Sequence, residues 1–133
     1  MEAEQRERLI QEAMQVRHWA YAPYSHYKVG AAALASSGKI YSGVNVENAA
    51  YPSGICAERV AIFKAVSEGE REILALVVAT DNGGTPCGAC RQVISEFGPQ
   101  AEVCLVDQNG NLVLETSIDQ LLPGAFGPEK LNQ

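Results

Sequence analysis

The sequence predicts an α/β domain, a three-layer α/β/α sandwich in which helices cover both faces of a mixed five-stranded sheet. Three observations carry this. Apolar segments switch between helical and extended periodicity along the chain, in the order α-β-β-α-β-α-β-β-α. One of them, ILALVVAT at 73–80, is continuously apolar and β-branched toward its end, the pattern of a strand buried on both faces. The length of 133 residues is one domain's worth, since domains commonly run about 100–150 residues. Residues 1–133 are therefore expected to form a single domain.

The first helix occupies the first 20 residues, where Leu9, Ala13, Val16 and Ala20 form one apolar stripe with charges opposite. It stops before Pro23, because the residue preceding a proline avoids helical backbone. KVGAAALASSGKIYSGVNV follows, two apolar runs flanking Ser37-Gly38, which predicts a hairpin turning on a positive-φ glycine. Glu47 to Gly54 is an ordered loop containing Pro52. ICAERVAIFKAVSE at 55–68 is a second helix, apolar over much of its surface and so central, with Gly69 as its stop. After the strand at 73–80 comes the loop DNGGTP, then a third helix at 87–97 with Pro86 in its first turn. Gly98-Pro99 ends that helix, and AEVCLVD is a fourth strand reached by a right-handed parallel crossover. Gln108-Asn109-Gly110 turns the chain into a fifth strand, NLVLE, before a short helix, SIDQLLP, and the tail GAFGPEKLNQ.

Composition narrows the function classes. Hydrophobic residues make up 47% and charged residues 20%, an ordinary globular balance. The net charge of -6 argues against a nucleic-acid binder, which needs clustered Lys and Arg. The N-terminus MEAEQRERLI has no basic-then-apolar leader pattern, and the apolar run Ile73 to Ala79 is far short of the roughly 20 residues of a membrane span. A soluble, cytoplasmic protein with a small-molecule ligand is expected. Four cysteines in such a chain point to metal binding or catalysis before disulfides.

Three of those cysteines form a constellation. Cys56 stands at the start of the second helix, Cys87 and Cys90 at the start of the third. Cys87 and Cys90 are three apart, hence neighbours on a helix face, and with Cys56 they make three thiolate ligands. Soft thiolates favour zinc, so one Zn2+ per chain is expected, with a fourth position left open as catalytic sites require. Cys104, inside EVCLV, has the setting of an ordinary buried free thiol, and His18 and His26 form no ligand pair. A +2 ion on three thiolates carries a formal -1, which weakens it as a Lewis acid. Two helix N-termini offset part of that charge. Arg59, three residues past Cys56, is either a further offset or an ordinary ion-pairing arginine.

Glu58 completes the set. On an ideal helix it points about 200° away from Cys56, which disfavours joint coordination. Among Val60, Ala61 and Ile62 it lies on a buried helix, where an unpaired carboxylate is costly. Its predicted role is that of a proton carrier beside a metal-activated water, worth about 10²–10⁴-fold in rate.

The order C-x-E…P-C-x-x-C resembles the zinc-dependent nucleoside and nucleotide deaminases in their three-cysteine form. PYSHYKVGAA (23–32), GVNVENAAYPSGICAER (43–59) and LLPGAF (121–126) extend the resemblance over most of the chain, to the small cytidine deaminases. The resemblance implies a cytidine deaminase-like fold and hydrolytic conversion of cytidine and deoxycytidine to uridine and deoxyuridine, with release of ammonia. A metal-bound hydroxide attacks C4, and Glu58 shuttles the protons. It further implies that Asn45 and Glu47 bind the ribose hydroxyls and that the backbone at Ala57 meets the base. Tyr27, where the family usually has Phe, packs on the nucleoside. Phe126 reaches a neighbouring subunit's site in a homotetramer. Two other readings stay open. One is deamination of a different aminopyrimidine nucleoside, such as the antibiotic blasticidin S. The other is a non-catalytic, zinc-stabilised nucleoside-binding module.

Overall fold

The computed structural model describes residues 1–131. Its five strands are β1 (Gly30–Ala35), β2 (Ile40–Val44), β3 (Ile73–Ala79), β4 (Glu102–Val106) and β5 (Leu112–Ser117). They lie in the order β2-β1-β3-β4-β5. β1 pairs antiparallel with β2 and β3, β3 runs parallel to β4, and β4 is antiparallel to β5. The mixed five-stranded sheet is as the apolar pattern predicts. So is the hairpin: Gly38 takes φ +92° and its N–H donates to the Ala35 carbonyl.

Alternate residues of the buried strands point to opposite faces, and each face has its own core. Ala32, Leu34, Ala75, Val77, Cys104 and Val106 pack with Leu9 and Ala13 of helix α1 (Ala3–Arg17). Ala31, Ala33, Leu76, Val78, Val103 and Leu105 pack with Ala61, Ile62 and Ala65 of helix α2 (Ala57–Ser67) and Ile94 of helix α3 (Gly88–Phe97). The result is three layers. Helix α4 (Ile118–Leu121) closes the second face through Ile118.

Small residues let the layers approach closely. A Cβ at Gly43 of β2 would stand 2.5 Å from the Ala61 nitrogen and 2.8 Å from the Ala57 carbonyl oxygen of α2. One at Gly30 of β1 would stand 2.2 Å from the Ala13 carbonyl oxygen of α1. Glycine is therefore required at both positions by helix-to-strand contact, and Gly43 seats the first turns of α2 directly on the sheet.

Three expectations are corrected. α1 ends at Arg17, short of residue 20, because Tyr21 leaves the helix to pair with the chain at Val46: its N–H donates to Asn45 O and its carbonyl accepts from Glu47 N–H. α2 and α3 begin at Ala57 and Gly88, so Cys56 and Cys87 are the residues that cap them, and Pro86 precedes the cap of α3 instead of entering its first turn. β3 is buried except at Leu74, which is exposed. β5 is an edge strand with Leu112, Val113 and Leu114 all exposed. Cys104 is fully buried, as predicted. Among the described residues, no helix is long and apolar enough to cross a membrane.

One polar link ties the β1–β2 hairpin to the turn after α2. The Tyr41 hydroxyl donates to Glu70 Oε2 at 2.9 Å, and Ser37 Oγ donates to the same oxygen. Burial, reinforced by Glu70, pushes the Tyr41 hydroxyl up to about 12 from its ordinary 10.0. Ser37 and then Tyr41 hold Glu70 below its ordinary 4.5. The signs follow from linkage. Stability from Glu70 is complete above pH 4.5 and is lost as pH falls through its depressed value. Stability from Tyr41 is complete below pH 10 and is lost as pH rises through about 12. Thermal melts of Tyr41→Phe across both limbs are expected to show a smaller acid loss than the parent and no alkaline loss from this group.

Candidate active site

Two helices start at a cysteine, and that shared device builds the site. Reciprocal hydrogen bonds between Val46 and Ile55, both N···O 3.0 Å, hold the chain extended up to Cys56. Cys56 then has φ -81°, ψ 153°, and Cys87 has φ -67°, ψ 168°, both extended backbone ahead of a helical first turn. Each sulfur therefore hangs at the positive end of a helix, where thiolate is favoured. Cys90 enters from the first turn of α3 and is fully buried.

The three sulfurs converge. Cys56 Sγ lies 3.7 Å from Cys87 Sγ, and Cys87 Sγ lies 3.3 Å from Cys90 Sγ. Tetrahedral thiolates at the usual zinc–sulfur distance of ~2.3 Å would stand about 3.8 Å apart, so the donor set fits zinc in number, chemistry and spacing. Among the described residues, these cysteines form the one cluster of three metal-capable side chains. Arg59 Nη2 donates to Cys56 Sγ at 3.5 Å, while Arg59 Nε is buried without a hydrogen-bond partner. A half-buried cation with its charge directed at sulfur is what a three-thiolate centre requires, and among the described residues no salt bridge joins Arg59 to a carboxylate. Cys90 first, and then Arg59, draw the Cys56 thiol down to about 5 from its ordinary 9.0. The hydrogen bond with Cys56 and its own burial push the Cys90 thiol up.

Glu58 is 4% exposed and shares a cavity with Cys56 and Cys87. The divergence expected of an ideal helix does not arise, because Cys56 has already left the helix. Burial, with the Cys56 thiolate adding to it, pushes the Glu58 carboxyl up to about 7. That value suits a group that must both accept and return a proton near neutrality.

The cavity encloses about 600 Å³. Tyr27, Asn45, Glu47 and Ala57 all line it, so the structure gathers four of the five residues predicted to meet a substrate. The fifth, Phe126, lies outside it with its ring 58% exposed, while Gln92 Nε2 donates to its carbonyl. Asn45 and Glu47 also have an internal task. Asn45 accepts from Val29 N–H at 2.9 Å and donates to the Tyr27 carbonyl at 2.8 Å. Glu47 Oε1 accepts from the N–H groups of Tyr24 and Ser25 at 3.0 and 3.1 Å, and Oε2 accepts from Ser25 Oγ. These bonds fold the 24–29 wall, which includes His26 at φ 59°. The Ser25 bonds come first in holding Glu47 below the usual carboxylate range, so it stays an acceptor. Spare lone pairs on both side chains remain for a ligand.

Three positions escaped the sequence reading. Ser25 orients Glu47. Thr80 Oγ1, buried at the end of β3, accepts from the N–H groups of Asn82, Gly83 and Gly84 and shapes the loop before Cys87. Arg91 donates to Pro86 O (2.8 Å), Leu121 O (2.8 Å) and Thr85 Oγ1 (3.0 Å), bracing the chain ahead of Cys87. Its place directly after Cys90 was the available signal.

Comparison with known proteins agrees with this geometry. The family described as the cytidine and deoxycytidylate deaminase zinc-binding region matches residues 3–106. The chain is 51% identical over 129 residues to the cytidine deaminase of Sporosarcina psychrophila, covering 95% of this chain and 94% of that protein. It is 46% identical over 134 residues to the probable cytidine deaminase of Dictyostelium discoideum, covering 98% and 90%. The crystal structure of cytidine deaminase from Burkholderia pseudomallei superimposes with a TM-score of 0.86 at 44% identity, covering 95% of this chain and all of that one.

Arg91→Ala should loosen the ligand loop without touching a sulfur. Release of zinc to a chromophoric chelator is expected to show about 10-fold weaker retention than the parent, the size usual for groups that orient metal ligands. Unchanged retention would remove Arg91 from that role.

Proposed function

The chain belongs to the cytidine and deoxycytidylate deaminase zinc-binding family, and on that premise we propose how its residues divide the work of hydrolytic deamination of cytidine and deoxycytidine. In that reaction water adds at C4, the C4–amine bond breaks, and uridine or deoxyuridine leaves with ammonia. One zinc per chain would be held by Cys56, Cys87 and Cys90. Bound there, zinc supplies the Lewis acidity that lowers the pKa of the attacking water.

The observation that carries the reading is Glu58, buried beside the sulfur cluster with its carboxyl poised at about 7. Glu58 takes one proton of the attacking water and hands it to N3 of the pyrimidine, then takes the second from the hydroxyl now on C4 and gives it to the departing amine as C4 becomes a carbonyl. Arg59 balances thiolate charge through Cys56. The backbone at Ala57 meets the base, Tyr27 packs on the nucleoside, and Asn45 and Glu47 hydrogen-bond the ribose hydroxyls. A carboxylate already ordered by three internal hydrogen bonds is a preorganised sugar anchor. Glu47 in this role favours an ordinary ribose over an antibiotic nucleoside.

Residues 1–133 act as a single catalytic domain, assembled in the cytoplasm as a homotetramer. Support for assembly comes from the exposed apolar row Leu112, Val113 and Leu114 on an edge strand and from the exposed ring of Phe126, which would complete a neighbour's site.

Two results are expected. Zinc-loaded parent protein converts the ultraviolet spectrum of cytidine into that of uridine, whereas Glu58→Ala retains zinc and loses at least about 10²-fold in rate. Full activity in Glu58→Ala would falsify the proton path; zinc-loaded parent that leaves cytidine and deoxycytidine untouched would favour another aminopyrimidine nucleoside, and, if a panel of those is also untouched, the binding-module reading. Separately, sedimentation of the parent gives a mass near four chains, and Phe126→Ala raises KM even where the tetramer persists; a monomeric, fully active parent would sink the shared site.

A further inference from the structure

Tyr27 carries a hydroxyl that the chemistry above does not use, and the structure gives that hydroxyl one partner. It donates to Asn82 Oδ1 at 2.7 Å, across 55 residues of sequence. Tyr27 belongs to the 24–29 wall of the cavity, whereas Asn82 belongs to the loop between β3 and α3 that ends at Cys87. That loop is pinned at its start. The Arg17 guanidinium pairs with Asp81, and Thr80 Oγ1 gathers three successive N–H groups. Asn82 therefore offers its amide oxygen from a fixed base.

Gly84 supplies the second, independent observation. A Cβ there would stand 2.7 Å from the Tyr27 hydroxyl oxygen, 3.6 Å from Asn82 Oδ1 and 3.9 Å from the ring carbon that bears the hydroxyl. Unlike Gly83 at φ +75°, Gly84 does not lie in the left-handed region. Backbone conformation thus does not demand glycine at 84; the space occupied by the tyrosine hydroxyl does. Tyr27 and Gly84 are a matched pair, and both line the cavity.

We propose that Tyr27, Asn82 and Gly84 form a latch that fixes the aromatic wall of the cavity to the Cys87 loop and so sets affinity for the nucleoside. Tyr27 presents its ring to the cavity while its hydroxyl acts on Asn82, which makes Asn82 a positioning residue. The latch also settles what the added oxygen of Tyr27 does: satisfied within the protein, it asks for no hydrogen bond from the base. This inference rests on the nucleoside reading of the cavity.

The test is steady-state cytidine turnover by the zinc-loaded parent, Asn82→Ala, Asn82→Asp, Gly84→Ala, and Gly84→Ala combined with Tyr27→Phe. One neutral hydrogen bond lost corresponds to about 2- to 10-fold, so Asn82→Ala should raise KM by that factor with a smaller change in kcat. Asn82→Asp, which still offers an oxygen to the hydroxyl, should return KM toward the parent value. Gly84→Ala should raise KM further than Asn82→Ala, and adding Tyr27→Phe should lower it to the Asn82→Ala level, because the new methyl no longer meets an oxygen while the hydrogen bond stays lost. A parent that turns over no cytidine overturns the nucleoside reading itself. A working parent with KM unmoved by Asn82→Ala, or Tyr27→Phe failing to relieve Gly84→Ala, overturns the latch alone. Should Gly84→Ala fold poorly, the Asn82→Ala and Asn82→Asp pair decides by itself.

Discussion

Three thiolates gathered within a few ångströms concentrate more negative charge than one divalent ion removes, and the surrounding protein is arranged to carry the excess. Extended backbone at Cys56 and Cys87 places both sulfurs at helix starts, where unpaired N–H groups present partial positive charge. Arg59 reaches back one turn to Cys56 with its guanidinium partly sealed from water. Burial first, and the same negative field after it, lift Glu58 toward neutrality. Ligand choice, helix starts, the arginine and the proton carrier are thus successive answers to one electrostatic problem.

Those answers need a rigid support. Gly43 allows the first turn of α2 to rest on β2 at backbone distance, and the alanines of β1 leave no bulky side chain to hold the layers apart. A larger residue at 43 would push Ala57 and Ala61 outward and carry Cys56 and Glu58 with them. On the far side of the cavity, the wall is irregular chain, held by side chains of the loop opposite. Asn45 binds the backbone of 27–29 and Glu47 that of 24–25. The groups suited to a sugar and the groups that shape its pocket are the same two residues.

The sequence made the sheet and the metal centre readable because both are written in local patterns. ILALVVAT fits a buried strand in length and β-branching, and C-x-E followed by P-C-x-x-C puts its chemistry within a few residues of two helix starts. Helix ends were read less well: periodicity continued through Val16 to Ala20 while Tyr21 was being drawn away by Asn45 and Glu47, and no local pattern records that pull. Asn82 and Ser25 were invisible for the same reason, since their partners lie 55 and 22 residues away. Arg59 was left open by its spacing alone and is decided by its geometry, a sulfur at 3.5 Å and, among the described residues, no salt bridge.

Cys104 has a consequence of its own. It lies fully buried in β4 beneath α1, and burial raises its thiol above the ordinary range. Cys87 is exposed and Cys56 half-buried, with Cys56 already inclined to ionise. Oxidants attack thiolates they can reach, so cysteine oxidation in this chain starts at the ligand sulfurs. Damage would then show itself as metal loss while the sheet, with its sealed fourth thiol, stays intact.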